Sequence, residues 1–159
     1  MQIRQANDHD SELIVRFVQA TLHEMQSVGG HDVNSDENFW QRYGDKVVED
    51  IQKRERLYLL AQKGSSVVGY LEGEIINLQA MFTPKKCFHI SVVYVSPESR
   101  QRGIATSLVK EALRWASELG CREADLHVLI NNENARRLYR KIGFKEFQFE
   151  LRMKLPAPE

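Results

Sequence analysis

Two stretches of the sequence carry side chains whose types and spacing are suited to chemistry. The first runs from Ser96 to Thr106, where Arg100 and Arg102 stand just before Gly103 and a helical pattern of apolar residues. A helix N-terminus presents unpaired N–H groups and a partial positive charge, and the two arginines would add full charges beside it. This stretch indicates a site for a small polyanion such as a pyrophosphate, although a solvated basic turn has the same composition.

Other chemical signatures are missing from the sequence. It contains neither GxxxxGK[ST] nor a GxGxxG that opens a strand-to-helix unit, which argues against nucleotide hydrolysis and dinucleotide redox chemistry. There is no GxSxG for a serine nucleophile. Cys87 and Cys121 form no CxxC pair and the five histidines show no HxxxH spacing, so we expect no metal site.

The second stretch runs from Asn131 to Phe144 and follows a predicted strand. Ala135 and Tyr139 are four residues apart, so they share one face of a short helix, and we expect Tyr139 to point toward the end of that strand. A core aromatic residue is the other interpretation of Tyr139. Asn132 and Asn134 precede this helix or begin it, where asparagine is a favoured N-cap, so capping and ligand contact both stay open for them.

These two stretches resemble the GNAT superfamily of acetyl-CoA-dependent N-acetyltransferases. The family signature [RQ]-x-x-G-x-[GA] is matched by residues 100–105, with alanine in the last place. The later pattern N-x-x-A-x-x-L-Y-x-x-x-G-F is matched without a gap by residues 132–144. Both patterns occur in order, each on the predicted element, and the resemblance extends over nearly the whole chain in the order of its strands and helices.

The resemblance implies that acetyl-CoA is the cosubstrate, and it assigns residues to that role. The backbone from Val93 to Val95 would pair with the pantetheine arm, and residues 101–106 would surround the pyrophosphate with N–H groups. Tyr139 matches the family tyrosine that protonates the leaving thiolate, and a phenol with an ordinary pKa of about 10 suits that donation. The implied cofactor-binding residues are Val93, Tyr94, Val95, Arg100, Gln101, Arg102, Gly103, Ile104, Ala105, Thr106, Asn132 and Asn134.

An acceptor amine must lose a proton before it attacks a thioester, so such a site needs a base. His127 lies in a predicted strand, and Glu72 and Glu74 are two residues apart and so face one side of another strand; His89 is a weaker candidate. The alternatives are a hydrogen-bonded histidine on a sheet face and a solvated strand face. Together with acidic residues of an earlier loop, these two glutamates favour a cationic acceptor. The loop residues are Asp32, Asp36 and Glu37.

The periodicity of apolar residues predicts an α/β (α+β) fold with the element order β-α-α-β-β-β-α-β-α-β. We expect a mixed, mostly antiparallel sheet with helices on both faces and a central parallel strand pair, created by a right-handed crossover. The resemblance implies that this pair is splayed to admit CoA. The predicted strands are residues 3–5, 57–62, 67–76, 87–95, 124–130 and 147–155, and the predicted helices are residues 13–25, 40–51, 104–119 and 134–142.

Composition sets the remaining expectations. The chain has 159 residues, which fits one domain over residues 1–159. Its net charge is zero, but residues 99–141 hold nine basic and five acidic residues, which suits one small polyanion better than nucleic acid. There is no run long enough to span a membrane and no signal-peptide pattern, so we expect a cytoplasmic protein without a membrane partner. The alternating strand at 147–155 suggests a homodimer.

The function that follows is an N-acetyltransferase that moves an acetyl group from acetyl-CoA to a primary amine by direct attack in a ternary complex. The acceptor would be a small molecule, a polyamine, an aminoglycoside, an amino acid or a peptide amine. The alternative is a domain of the same fold that binds CoA as a sensor or serves as an interaction module without turnover.

Overall fold

A five-stranded mixed sheet forms the centre of the molecule within residues 1–54, 56–83 and 86–155, which the computed structural model describes. The strands are β1 (Gln2–Gln5), β2 (Arg56–Lys63), β3 (Ser66–Asn77), β4 (Lys86–Val95) and β5 (Glu123–Leu126). The helices are α1 (Ser11–Ser27), α2 (Glu37–Lys53), α3 (Ile104–Glu118) and α4 (Glu133–Ile142). Among these helices, none combines the length and the apolar character that crossing a lipid bilayer requires.

The strands lie in sequence order, and all neighbours pair antiparallel except β4 and β5, which are parallel. This follows from the connections. A tight turn with Gly64 at φ 60° joins β2 to β3, whereas β4 reaches β5 through the long helix α3. The mixed and mostly antiparallel sheet expected from the sequence is confirmed.

Alternation along the strands divides the buried side chains between two faces. One core packs against α3 and α4, and the other packs against α1 and α2. The first core includes Leu59, Leu71, Phe88, Ile90, Leu108 and Val109. The second includes Ile14, Phe17, Val47, Leu60 and Tyr70. Helices therefore cover both faces of the sheet, as the periodicity predicts.

Three expectations about the end of the chain are wrong. The predicted strand 124–130 is shorter in the structure and comprises Glu123–Leu126. The predicted strand 147–155 is irregular, and its apolar side chains are exposed. As a result, the parallel pair lies at an edge of the sheet instead of its centre. Alternation defines the two faces of an extended segment, but a strand forms only where a neighbouring strand supplies hydrogen bonds.

Beyond its pairing with β5, one side of β4 is open among the described residues, and we call the space beside it the cleft. Their pairing runs from Cys87 opposite Glu123 to Ile90 opposite Leu126, and there β5 ends. β4 continues to Val95 and pairs with β3 alone. The register shifts by one residue on the β3 side at this point, so β4 carries a bulge where it leaves β5. The parallel pair is thus paired only along the first part of β4, and splaying of the two strands to admit CoA stays a prediction.

A partly buried ion pair joins β1 to the residue that precedes α1. Arg4 donates from Nη1 and Nη2 to the two carboxylate oxygens of Asp10 at 2.7 and 2.8 Å, and the backbone N–H of Asn7 donates to Asp10 at 2.8 Å. The hydrogen bond from Arg4 lowers the pKa of Asp10. We expect Asp10→Asn to reduce the free energy of unfolding by about 2 kcal/mol, measured by urea denaturation, because it weakens charge-assisted hydrogen bonds and leaves the guanidinium without its counter-charge.

The effect of Asp10→Asn depends on pH. A carboxylate whose pKa is lowered in the folded state stabilises the protein above its ordinary pKa of about 4, and loses that contribution as the pH falls through the lowered value. The difference between wild type and variant is therefore largest near neutral pH and shrinks below about pH 4. Asp45→Asn, at an exposed position of α2, is the matched control. Equal losses from both variants would contradict the assignment.

Candidate active site

One wall of the cleft is the last part of β4. Beyond Ile90 its main chain has β3 on one side and, among the described residues, no strand on the other. The Val93 side chain packs toward α3, and the Tyr94 ring lies on the opposite face, with its centroid 5.1 Å from that of Phe17. Backbone groups on this open side can hydrogen-bond an extended ligand, but the Val95 carbonyl already accepts from Arg100 Nε. Contact between the pantetheine arm and Val93 to Val95 stays a prediction.

The N-terminus of α3 lies at the end of this wall. Gln101 and Gly103 have φ of 60° and 79°, and Gly103 is the N-cap without any side-chain cap. The first intrahelical bond runs from the Ser107 N–H to the Gly103 carbonyl at 3.0 Å, so the N–H groups of the first turn have no helical acceptor. These N–H groups and the helix dipole fit an anion such as a pyrophosphate.

The two arginines before this helix differ in their surroundings. Arg100 donates from Nε to the Val95 carbonyl at 2.8 Å, its guanidinium binds the Glu24 carboxylate of α1, and it lies 5.8 Å from the centre of the Tyr94 ring. Through these two contacts, Arg100 connects the turn after β4 to α1. Arg102 is exposed. Cofactor contact stays a prediction for both.

Asn132 caps α4, whereas Asn134 lies in its first turn. The Asn132 side-chain oxygen accepts a hydrogen bond from the Ala135 N–H at 3.2 Å, so the capping interpretation of Asn132 is correct. The Asn134 side-chain oxygen accepts a hydrogen bond from Arg137 at 3.2 Å. Ligand contact by either asparagine is compatible with these bonds and stays a prediction, because an amide retains its N–H donors.

Tyr139 lies on the inner face of α4. Its ring packs against the side of the sheet that α3 covers. The Tyr139 and Phe144 rings meet edge to face, with their centroids 5.8 Å apart. Burial raises the pKa of Tyr139 to about 12, so its hydroxyl keeps its proton at neutral pH. Among the described residues that hydroxyl has no hydrogen-bond partner, so it is available to a ligand. The helix ends at Ile142, and the Gly143 and Phe144 N–H groups donate to the Tyr139 carbonyl.

Glu72 belongs to a buried polar network that sequence reasoning missed. It is 5% exposed, it accepts a hydrogen bond from the Tyr70 hydroxyl, and Arg56 Nη2 donates to its Oε1 at 3.1 Å. The Tyr43 hydroxyl of α2 lies 3.5 Å from its Oε2. Burial is the main cause of the raised pKa of Glu72. Arg56 also binds Glu74 at 3.0 Å, so both carboxylates lie on one side of β3 as predicted.

A second acidic residue extends this network into α2. The Tyr58 hydroxyl donates to Asp50 at 3.2 Å, and Lys46 binds the same carboxylate at 2.7 Å. Burial raises the pKa of Tyr58. The sequence contains one indication that Asp50 is buried. Asp50 lies on the apolar stripe of α2, three residues after the buried Val47. A carboxylate at a core position requires buried partners.

A histidine pair lies where β4 and β5 part. His89 pairs in register with Glu74 of β3 and with Asp125 of β5, and its Nδ1 lies 2.6 Å from Asp125 Oδ1. His127 follows β5, and its ring centre is 5.2 Å from that of His89. The structure thus brings together His127, Glu74 and the weaker candidate His89, while Asp125 is a residue that sequence reasoning missed. It was missed because only strand register makes Asp125 a neighbour of His89.

A pocket of about 240 Å³ opens between α1, α2 and the loop that joins them. Its lining is mainly apolar and aromatic, and Tyr43 connects it to the Glu72 network. Of the three acidic loop residues, Asp32 lines the pocket, whereas Asp36 caps α2 by accepting from the Asn38 N–H at 2.9 Å. The other lining residues include Leu22, Met25, Phe39, Trp40 and Asn34.

The fold is an α/β arrangement with an uncapped helix N-terminus beside a partly paired parallel strand pair. The sequence model of the acetyltransferase (GNAT) family matches residues 20–144. The chain therefore belongs to the GNAT acetyltransferase family, and the resemblance seen in the sequence is confirmed.

Two relatives illustrate the range of named activities. An N-alpha-acetyltransferase of Sulfurisphaera tokodaii is 32% identical over 104 residues, which cover 62% of this chain and 62% of that protein. An aminoglycoside N(6')-acetyltransferase type 1 of Acinetobacter haemolyticus is 29% identical over 82 residues, which cover 52% of this chain and 43% of that protein. The match thus spans less than two thirds of either relative.

Solved structures show the same fold across nearly the full chain. A predicted acetyltransferase of Clostridium acetobutylicum, crystallised with acetyl-CoA, superposes with a TM-score of 0.77 over 96% of this chain and 95% of that chain at 18% identity. The aminoglycoside N-acetyltransferase AAC(6')-Iy in complex with CoA gives a TM-score of 0.76 over 98% of this chain and 95% of that chain, also at 18% identity.

Proposed function

We propose that the chain is an N-acetyltransferase that moves an acetyl group from acetyl-CoA to a primary amine. One observation carries the proposal: the uncapped N-terminus of α3 lies at the end of the open side of β4. A ligand with a pyrophosphate and an extended amide-bearing arm satisfies both features at once, because the helix N–H groups bind the charge and the strand backbone binds the arm. CoA has this chemistry.

The contacts proposed for acetyl-CoA follow from that placement. The backbone of Val93 to Val95 binds the arm, and the N–H groups of residues 101–106 bind the pyrophosphate. Arg102 adds positive charge, while Arg100 holds the turn in shape through Val95 and Glu24. Asn132 can offer its side-chain N–H to the ligand while its oxygen caps α4. No metal is needed for this binding.

The transfer itself needs one base and one acid. The amine nitrogen attacks the thioester carbon, the carbon–sulfur bond breaks, and a backbone N–H near Val95 stabilises the oxyanion that forms in between. Tyr139 donates its proton to the departing sulfur, since its raised pKa of about 12 keeps the phenol protonated at neutral pH. Direct transfer requires both substrates to be bound together.

The proton of the acceptor amine is taken up near the histidine pair. Glu74 is 38% exposed at its side chain and His127 is exposed, so solvent and an incoming amine reach both. Glu72 has a different role, because its carboxylate is buried and already accepts hydrogen bonds from Tyr70 and Arg56. We assign proton uptake to Glu74 and the histidines, and we assign to Glu72 and Glu74 together the negative field that attracts a cation.

The pocket between α1 and α2 indicates the class of acceptor. Its aromatic and aliphatic lining suits an apolar group, and Asp32 suits an attached cation. We therefore propose a primary amine that carries an apolar flank, such as the α-amine of a peptide that begins with a hydrophobic residue. The N-alpha-acetyltransferase relative supports this class, and the aminoglycoside relative supports the polycationic alternative.

A panel of amines tests the proposed function. Thiol release from acetyl-CoA is followed with peptides that begin with hydrophobic or acidic residues, spermidine, an aminoglycoside and free amino acids. We expect turnover with at least one amine and the best kcat/KM for a peptide with a hydrophobic first residue. Acetyl-CoA binding without turnover across the panel would favour the silent CoA-binding alternative, and a preference for the aminoglycoside would overturn the proposed acceptor class.

Glu74→Gln is expected to raise the acceptor KM about tenfold and to leave the acetyl-CoA KM unchanged. Removing a charge that faces a cationic substrate costs binding of about 1.4 kcal/mol, which is a tenfold change. Initial rates at varied acceptor and acetyl-CoA concentrations separate the two constants. Glu12→Gln, at an exposed position of α1, is the control. An unchanged acceptor KM in Glu74→Gln would remove this residue from the site.

Glu72→Gln serves as the companion variant. Because the half-buried Arg56 loses part of its counter-charge, we expect Glu72→Gln to lower stability as well as acceptor affinity. Melting temperature must therefore be recorded with the kinetics, so that loss of fold and loss of substrate attraction are separated. A normal acceptor KM in a folded Glu72→Gln variant would contradict the proposed field effect.

A further inference from the structure

The side chains of β4 exchange faces of the sheet at Ser91. Before this residue, Ile90 is buried in the core that packs against α3. Beyond it, Val93 and Val95 belong to that same core, whereas Tyr94 packs on the core of α1 and α2. In a regular strand all even positions share one face, so the even and odd positions of β4 change places at Ser91. One extra residue in a strand has this effect on everything that follows it.

The pairing of β4 with β3 identifies Ser91 as the extra residue. Val92 lies opposite Glu72, and the next position of β3, Gly73, lies opposite Ile90. Two steps along β4 therefore match one step along β3, and Ser91 forms the bulge. A Cβ added at Gly73 would lie 2.6 Å from a backbone oxygen of β4, so the two strands approach closely here and only glycine fits.

One side chain, Arg56 at the start of β2, connects the bulge to the acidic residues of β3. Its Nη2 donates to Ser91 Oγ at 2.8 Å and to Glu72 Oε1 at 3.1 Å. Its Nη1 lies 3.0 Å from Glu74 Oε1. The two carboxylates flank Gly73, which lies across from the bulge, and they hold the guanidinium from both sides. A guanidinium is planar and its donors have fixed directions, so two held contacts fix the third.

We propose that Arg56 is a positioning residue, which holds the bulge of β4 through Ser91 and so determines how residues 92–95 face the cleft. The inference rests on the proposed function, in which the backbone of Val93 to Val95 binds the pantetheine arm and an N–H near Val95 stabilises the oxyanion. Backbone N–H and C=O groups alternate between the two edges of a strand. The bulge therefore decides which of these groups face the cleft and which face β3.

Ser91→Ala tests the contact at its exposed end. The variant removes the hydroxyl that accepts from Arg56 and leaves both carboxylate contacts of the guanidinium in place. We expect kcat, measured by thiol release with the best amine of the panel, to fall about tenfold, because misplacing a group by about 1 Å can cost about 100-fold and the bulge is only loosened. The acceptor KM should stay unchanged. Ser91 is exposed, so the melting temperature should change little.

Further variants show whether Arg56 and Ser91 act as one unit. Ser91→Thr keeps a hydroxyl at the same position and is expected to restore most of kcat, and Ser117→Ala, at an exposed position near the end of α3, is the control. Arg56→Lys keeps the positive charge but lacks the planar fork, so we expect at least the loss seen in Ser91→Ala. The double variant should lose no more than Arg56→Lys alone. Additive losses, or a normal kcat in Ser91→Ala, would overturn the proposal.

Hydrogen exchange of the free chain separates this inference from the proposed function, because it requires no turnover. Amides of residues 91–95 are expected to exchange faster in Ser91→Ala and in Arg56→Lys than in the wild type, whereas amides of α3 should keep their rates. Equal exchange in the wild type and in Ser91→Ala would overturn the inference even if the wild type is active. Faster exchange in the variants of an inactive wild type would support the hold on the bulge and overturn the proposed function alone.

Discussion

Tyr139→Phe is expected to lower kcat about 100-fold and to leave acetyl-CoA affinity nearly unchanged, since acid catalysis of this kind contributes about 10²–10⁴-fold. The substitution removes one oxygen and keeps the ring that packs on Phe144. That oxygen makes no hydrogen bond within the described part of the chain, so the fold loses little when it is removed. The loss therefore falls on the step in which the thiolate leaves.

The matched control for this variant is Tyr94→Phe. Tyr94 lies on β4 beside the cleft, but its ring packs on Phe17 on the opposite face of the sheet. Steady-state rates with saturating acetyl-CoA, followed by a single-turnover measurement, give kcat and the chemical step separately. An unchanged single-turnover rate in Tyr139→Phe would remove the residue from catalysis, and an equal loss in Tyr94→Phe would show that the effect is not specific.

Burial of Tyr139 also fixes the expected pH dependence. Its pKa is raised above the ordinary phenol value to about 12, so the proton donor stays protonated throughout the neutral and mildly alkaline range. The wild-type rate is therefore not expected to fall through titration of Tyr139 in that range. A rise in rate with pH would instead report deprotonation of the base or of the amine itself.

Gly103→Asp is expected to weaken acetyl-CoA binding about 100-fold, or about 2.7 kcal/mol. An aspartate at the N-cap accepts hydrogen bonds from the first-turn N–H groups of α3, the same groups that are proposed to hold the pyrophosphate. It also adds a negative charge beside that anion. Each loss of a charge-assisted hydrogen bond costs about 1.5–3 kcal/mol, so one or two such losses account for the effect.

Gly64→Asp is the matched control for Gly103→Asp. Both glycines have positive φ, 60° and 79°, and a Cβ added at either position meets no atom within 4 Å. Both variants therefore carry a similar backbone cost, of about 1 kcal/mol, with no steric clash. Calorimetric titration and melting curves should show a small stability loss in both and weaker cofactor binding in Gly103→Asp alone. Equal affinities would place the anion elsewhere.

The fold was largely predictable from local patterns. Helical spacing located all four helices, and the turn around Gly64 located the β2–β3 hairpin. The errors concern pairing partners. Residues 147–155 carry an ideal alternation yet form no strand in a single chain, because alternation shows which side chains share a face but contains nothing about what covers that face.

The site was predictable where its residues are close in sequence. The loop around Gly103 and the helix with Tyr139 were found because short motifs contain them. The network around Glu72 was not found, because Arg56 and Tyr43 join it from other elements at separations of 16 and 29 residues. The contact between His89 and Asp125 depends on the register of β4 and β5, and that register is set only when the sheet forms.

Acetyl-CoA is proposed to bind along the open side of β4 and at the N-terminus of α3. Titration of acetyl-CoA into the purified chain, followed by heat and by melting temperature, tests it most directly. Saturable heat with one molecule bound per chain is predicted, and at about 100 times Kd the chain should gain about 2.7 kcal/mol of stability, or about 5–10 °C. No heat and no shift at millimolar acetyl-CoA would contradict the claim.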